Sequence, residues 1–254
     1  MLITTALVSS VLVAAVGIVI LWPNPARGVN RAVCAGALHM ALWLACLHMA
    51  GASRLDGLLW LKWTCAVGAF APFLFWIVKE SITTNLDRSL LQKWVRDGWV
   101  WFTVSTVLAI VPFTEAFIPS HSTSAQRIRG WGYYGYIIGA LCAYGALLYQ
   151  SYRDTKVMTG GRRLELQVWL GGGGIMASAL LCLMMLNAVT MDPSFIRLQP
   201  LMVLAFYAGT IYAITTHRIF DARHILRVGM QKIALVLVVA AMAYGVDKLS
   251  LIHI

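Results

Sequence analysis

The stretch LQVWLGGGGIMASALLCLMMLNAV, from Leu166 to Val189, runs for 24 residues without a charged side chain. A helix of that length extends about 36 Å, which exceeds the roughly 30 Å thickness of the hydrocarbon core of a bilayer. A helix that is apolar on every face lies either in the core of a large protein or in a membrane. The stretch therefore predicts a transmembrane helix.

Seven further apolar stretches flank this one, and little sequence is left between them. In chain order the eight are Leu2–Trp22, Ala32–Ala52, Leu58–Val78, Trp99–Ile118, Tyr133–Tyr152, Leu166–Val189, Leu201–Thr216 and Ile233–Val246. The first six have about 20 residues or more, enough to span a bilayer, and the seventh reaches that length only with Phe195 to Pro200. The stretches are continuous rather than alternating, which excludes barrel strands. We expect an all-α polytopic membrane bundle with seven transmembrane helices and the start of an eighth.

The composition leaves no room for a soluble catalytic domain. Charged residues make up 12% of the chain and hydrophobic residues 60%, whereas soluble domains carry about 25% charged residues. The five cysteines all lie in apolar stretches and form no CxxC pair, which argues against a zinc site or a disulfide framework. We predict no catalytic residue, no metal site and no cofactor.

Basic residues are distributed unevenly between the loops. The odd-numbered loops carry 14 lysines and arginines, and the even-numbered loops carry four: Arg54, Arg127, Arg129 and Arg197. Because cytoplasmic loops are enriched in basic residues, the odd loops are predicted to be cytoplasmic and the N-terminus external. The net charge of +10 then reflects topology and contact with anionic lipid, rather than nucleic acid binding.

Four polar residues are candidates for a ligand site. With the N-terminus outside, His48, Lys62, Glu115 and Asn187 fall at similar depth towards the outer surface. Such groups are costly in a membrane unless they are paired or face a wet cavity. We therefore hypothesise a shared outward-facing cavity, with Lys62 as the partner of Glu115. The alternative is that each side chain reaches separately into the headgroup region.

The glycine run Gly171–Gly174 is not a phosphate-binding loop, because no Lys-Ser/Thr pair follows it and no strand precedes it. Close helix packing explains it better, as it does the four-residue spacing of Gly135, Gly139 and Ala143.

The seventh stretch ends in the sequence YAGTIYAITTHRIFDAR, from Tyr207 to Arg223. Apolar residues recur after it at helical spacing, which is typical of a helix that lies on the inner leaflet or continues as a rod. Signal transmission from the membrane helices is predicted to run through six residues of this region: His217, Arg218, Phe220, Asp221, Arg223 and Arg227.

The ending YAITTHRIFDAR resembles the exit of the seven-helix N-terminal sensor region of bacterial histidine kinases. Asn30-Arg31 before the second stretch, Trp43 within it, and Gly161-Arg162-Arg163 before the sixth also fit that region. The resemblance covers roughly residues 1 to 225. It implies a multi-pass protein of the bacterial cytoplasmic membrane that senses a small or lipophilic molecule.

The resemblance further implies a cytoplasmic output, usually a histidine kinase, through which the protein forms a homodimer; a cyclic-dinucleotide synthase or phosphatase is the other option. The chain has no phosphoacceptor region and no ATP-binding domain, so we do not expect it to be an enzyme as it stands. A small transporter or channel is the alternative, with His48, Lys62 and Glu115 lining a pathway. Pro72 and Pro112 interrupt the third and fourth stretches without counterparts later, which weakens the transporter interpretation.

The predicted organisation has four parts. Residues 1–216 form the sensor domain, 217–232 a basic juxtamembrane segment, 233–246 a partial eighth helix and 247–254 a tail. The 14 residues of the eighth stretch are too few to cross a bilayer, so the chain is expected to stop before its output domain. The ending LSLIHI, from Leu249 to Ile254, resembles translated adapter sequence.

Overall fold

The computed structural model describes residues 2–22, 24–53, 56–84, 97–120, 122, 128–190, 192 and 194–217. Within these residues the regular secondary structure is all helical, which confirms the all-α part of the predicted fold class. The helices are α1 (Leu2–Leu21), α2 (Gly28–Ala52), α3 (Gly57–Gly68), α4 (Ala71–Thr83), α5 (Trp99–Ile110), α6 (Trp131–Val157), α7 (Gly160–Thr190) and α8 (Ser194–His217). A short 3-10 helix, Val111–Phe113, follows α5.

Among the described residues, three helical segments are long and apolar enough to cross a membrane: Gly28–Ala52, Gly57–Thr83 and Gly160–Thr190. The second of these joins α3 and α4. Two shorter apolar helices, Thr5–Leu21 and Trp99–Phe113, accompany them. These segments support a membrane protein, while the count of seven transmembrane helices stays a prediction. The partial eighth helix and the tail lie outside the described residues.

Pro72 and Pro112, which interrupt the third and fourth apolar stretches, lie at helix boundaries in the structure. Pro72 lies in the first turn of α4, directly after the break from α3. Pro112 lies in the 3-10 helix that follows α5. The helical part of the fourth apolar stretch therefore ends at Phe113 rather than at the predicted Ile118. The physical reason is that proline lacks an N–H donor and its ring clashes with the preceding helical turn.

The glycine run of α7 brings three other helices close to it. A Cβ atom at Gly173 would lie 2.6 Å from the ring of Phe75, and one at Gly172 or Gly174 would lie 3.1 or 2.9 Å from a neighbouring side chain. In the described part of the chain, no neighbouring side chain or segment lies within 4 Å of a Cβ atom placed on Gly171. The packing prediction is therefore confirmed for three of the four glycines and wrong for Gly171.

The other predicted packing glycines, those of α6, divide in the same way. A Cβ atom at Gly139 would lie 2.9 Å from Leu108 of α5, whereas one at Gly135 would have no neighbour within 4 Å among the described residues. Only one of this pair therefore brings two helices together.

An aromatic cluster lies between α4, α6, α7 and α8. Trp169 of α7 lies 5.4 Å from Phe75 of α4 and 5.5 Å from Phe206 of α8, measured between ring centroids. Tyr144 of α6 and Tyr207 of α8 complete the cluster. Offset and edge-on ring pairs of this kind add about 0.5–1.5 kcal/mol each beyond the burial of their area. We call these five residues the aromatic layer; polar residues gather at both ends of the bundle beyond it.

Candidate functional site

At one end of the bundle, a cavity of about 50 Å³ lies between α2, α3, α6, α7 and α8. We call it the Arg129 cavity. Its polar lining residues are Thr64, Arg129, Tyr133, Tyr136, Asn187 and Gln199, and its walls include the apolar residues Trp43, Leu47, Leu61, Ile118, Met184 and Ile196.

Backbone contacts before α6 position Arg129. The Gly130 N–H donates to the Phe117 carbonyl at 3.0 Å, and the Gly132 N–H donates to the Ala116 carbonyl at 2.8 Å. A side chain at Gly130 would overlap the Ala116 carbonyl. The two glycines thus let this segment lie against the turn after α5, and this packing holds Arg129 beside the cavity.

Arg129 reaches from its loop to the end of α7. Its guanidinium donates to the side-chain oxygen of Asn187, donates to the Ala188 carbonyl at 3.3 Å, and lies 5.4 Å from the centroid of the Tyr133 ring. Asn187 is 2% exposed, and its amide group donates in turn to the Asp192 carbonyl at 2.7 Å. The carboxamide of Asn187 is therefore bonded through both its oxygen and its nitrogen.

Gln199 differs from the other buried polar residues around the cavity. Thr64 donates to the Trp60 carbonyl at 2.8 Å, and Tyr136 donates to the Cys65 carbonyl at 2.7 Å. Gln199 is only 3% exposed, yet within the described part of the chain its carboxamide makes no hydrogen bond. Because Gln199 also lines the cavity, its carboxamide is available to an occupant of that cavity.

Of the four residues predicted to share a site, the structure brings Asn187 alone to the Arg129 cavity. His48 and Lys62 are partly buried on α2 and α3, and Glu115 is exposed in the turn after the 3-10 helix. Among the ion pairs of the described residues, none joins Lys62 to Glu115. The reason lies in Pro112, because α5 stops before Glu115 and leaves that carboxylate in a turn.

Sequence reasoning missed Arg129 and Gln199 as site residues. In the sequence Arg129 is one of several basic loop residues, because its approach to α7 depends on contacts remote in sequence. Gln199 lies in the segment Phe195 to Pro200, which the seventh stretch needs to reach a spanning length. The sequence signal that would have pointed to Gln199 is a polar residue inside a segment that must lie within the membrane.

The opposite end of the bundle carries buried ion pairs. The Lys79 ammonium lies 2.8 Å from a Glu80 carboxylate oxygen and 3.0 Å from an Asp154 carboxylate oxygen, which joins α4 to α6. Arg27 bonds Glu165 of α7 at 2.7 Å. We call these five residues the ion-pair cluster.

A polar recess of about 350 Å³ adjoins the ion-pair cluster, and Arg27, Ser81, Arg162 and Glu165 are among its lining residues. Glu165 and Asn187 mark the two ends of α7, about 33 Å apart at a rise of about 1.5 Å per residue. The two polar regions are thus separated by roughly one hydrocarbon thickness.

The predicted signal-transmission residues begin where the described chain ends. His217 is the last residue of α8, while Arg218, Phe220, Asp221, Arg223 and Arg227 lie outside the described residues.

Comparison of the chain with protein-family models, curated proteins and solved structures finds no match. Among the described residues, no three histidine, cysteine or acidic side chains come together as a group that would hold a metal ion. The inference of function therefore rests on the geometry of the two polar ends.

Proposed function

We propose that this chain is the membrane-embedded sensory input module of a bacterial signalling protein, located in the cytoplasmic membrane. A signal molecule enters the Arg129 cavity, favours one packing of the helices, and shifts α8. The segment from His217 to Arg227 passes that shift to a cytoplasmic output, for which a dimeric histidine kinase is the first candidate.

The observation that carries this proposal is that one end of α8 lines the Arg129 cavity and its other end leads into the predicted signal-transmission segment. Gln199 lies in the second turn of α8 and lines the cavity, while His217 ends the same helix. Between them, Phe206 packs on Trp169 at 5.5 Å. A displacement of α8 at the cavity would therefore be transmitted along a packed helix to the start of the predicted transmission segment.

The separation of the polar regions favours a receptor over a transporter. A transport pathway needs polar or hydrated groups along its length. Between the Arg129 cavity and the ion-pair cluster, the described core contains the aromatic layer, in which Phe75, Trp169 and Phe206 are buried.

The grouping of loop residues agrees with the predicted topology. The ion-pair cluster combines Arg27 from the first loop with residues at the ends of the helices that border the third and fifth loops. Reporter fusions after Arg96 and Arg163 are expected to be cytoplasmic, and fusions after Arg54 and Ser124 external. The reverse pattern would contradict the proposed orientation.

The output is tested at the gene itself. The native gene, sequenced at its own locus, is expected to encode a cytoplasmic kinase, cyclic-dinucleotide synthase or phosphatase domain in the same reading frame as this membrane domain. A native stop codon with no output domain following it would overturn the sensory proposal.

A further inference from the structure

We propose that the Arg129 cavity binds a short-chain carboxylate, such as acetate or propionate, through Arg129 and Gln199. This inference rests on the sensory function proposed above and names the chemical class of its signal.

The charge of the cavity favours an anion. Within the described lining, Arg129 is accompanied by no acidic residue. The nearby Asp192 carboxylate is directed to the start of α8, where it accepts the Ser194 N–H at 2.8 Å. That hydrogen bond lowers the pKa of Asp192 below its usual value. A guanidinium offers five N–H donors in a planar fork that matches a carboxylate, so it can bind a carboxylate beside the neutral Asn187.

Gln199 supplies a second, independent indication of a ligand. Its carboxamide is buried in the cavity lining without a hydrogen bond to the described protein. Its amide N–H groups would donate to a carboxylate oxygen. Binding would thereby give the Gln199 carboxamide a hydrogen-bond partner.

The size and the walls of the cavity limit the rest of the ligand. A volume of about 50 Å³ holds roughly three to five water-sized groups. Leu61, Ile118 and Met184 line it with apolar surface, which suits an alkyl chain of one or two carbons. Longer chains exceed the space, and a free inorganic anion would leave these walls without an apolar contact.

The test is thermal unfolding of the full chain in lipid nanodiscs, titrated with sodium propionate and matched in ionic strength with sodium chloride. A saturable rise in Tm is expected, because a ligand that binds only the folded state stabilises it. Propionamide, a neutral molecule of the same shape, and hexanoate, which is too long, are expected to give no saturable rise. Equal stabilisation by propionamide would overturn the carboxylate inference.

Three variants test the residues. Gln199→Leu is expected to abolish the propionate response without lowering the Tm of the ligand-free protein, because it removes no hydrogen bond within the described residues. A response lost at an unchanged or higher Tm cannot arise from misfolding. Arg129→Gln is expected to weaken propionate binding more than about tenfold, through loss of a charge-assisted hydrogen bond. Gln167→Leu, on an exposed position of α7, is the matched control and should bind as the natural chain does. Full retention of propionate binding by both site variants would overturn the assignment.

The two proposals fail separately. If propionate gives no saturable shift, the carboxylate inference fails, while the sensory proposal still depends on the output encoded downstream. If propionate binds at Gln199 and labelled propionate also accumulates in proteoliposomes, the carboxylate site stands and the sensory function fails.

Discussion

Replacing Gly173 by alanine is expected to destabilise the bundle, although alanine is the better helix former. The added methyl carbon would lie 2.6 Å from an edge carbon of the Phe75 ring. That ring is 5% exposed and packs against Trp169 at a centroid distance of 5.4 Å. Because Phe75 is confined on both sides, it cannot turn away without disturbing the aromatic layer.

The magnitude follows from two opposing effects. Overpacking a well-packed core costs typically about 1–3 kcal/mol, while glycine to alanine in a helix gains up to about 1 kcal/mol. Gly171→Ala provides the matched control, since it lies in the same run and has nothing within 4 Å of the new methyl group. The difference between the two variants therefore isolates the steric cost of about 1–3 kcal/mol.

Thermal unfolding of the full chain in lipid nanodiscs measures this difference. At about 2–4 °C per kcal/mol for a chain of this size, Gly173→Ala is expected to unfold roughly 2–12 °C below Gly171→Ala. Equal Tm values for the two variants would refute the close packing of α4 on α7 and, with it, the argument that the aromatic layer is tightly filled.

Three further predictions concern a buried lysine, the pair Lys62 and Glu115, and the predicted signal-transmission segment. Lys79→Met removes the ammonium shared by Glu80 and Asp154, and should lower the free energy of unfolding by about 2–3 kcal/mol. That loss is smaller than the roughly 3–5 kcal/mol usual for a fully buried pair, because the Asp154 side chain is 30% exposed. The control Lys156→Met, on the exposed surface of α6, should change the free energy of unfolding by less than about 0.5 kcal/mol. Equal losses for the two variants in chemical denaturation would contradict the prediction. In a double-mutant cycle, Lys62→Met and Glu115→Gln should have additive effects on stability within about 0.5 kcal/mol; a larger coupling would show that the two residues interact. Insertion of two glycines after Asp221, in a fusion to a kinase output, should uncouple signal from kinase activity by softening the helix, and unchanged signal-dependent activity would mean that the segment is only a tether.

Much of the fold follows from local properties of the chain. The all-helical class and the membrane-spanning length of Gly160–Thr190 follow from apolar runs that can be read one segment at a time. The breaks at Pro72 and Pro112 were also visible, because proline acts on the helical turn directly before it. The sequence did not show that helical structure would end near Pro112, at Phe113, and leave Glu115 in a turn.

The identity of the cavity residues depends on tertiary structure. Arg129 lies in the loop before α6, and Asn187 lies near the end of α7. The Arg129 guanidinium reaches Asn187 because Gly130 and Gly132 let this loop pack against the turn after α5. Gln199 becomes notable only because its neighbours leave it buried without a hydrogen bond. Hydropathy and helix-breaking are set by residues adjacent in sequence, whereas the burial and pairing of a polar group are set by which distant side chains pack around it.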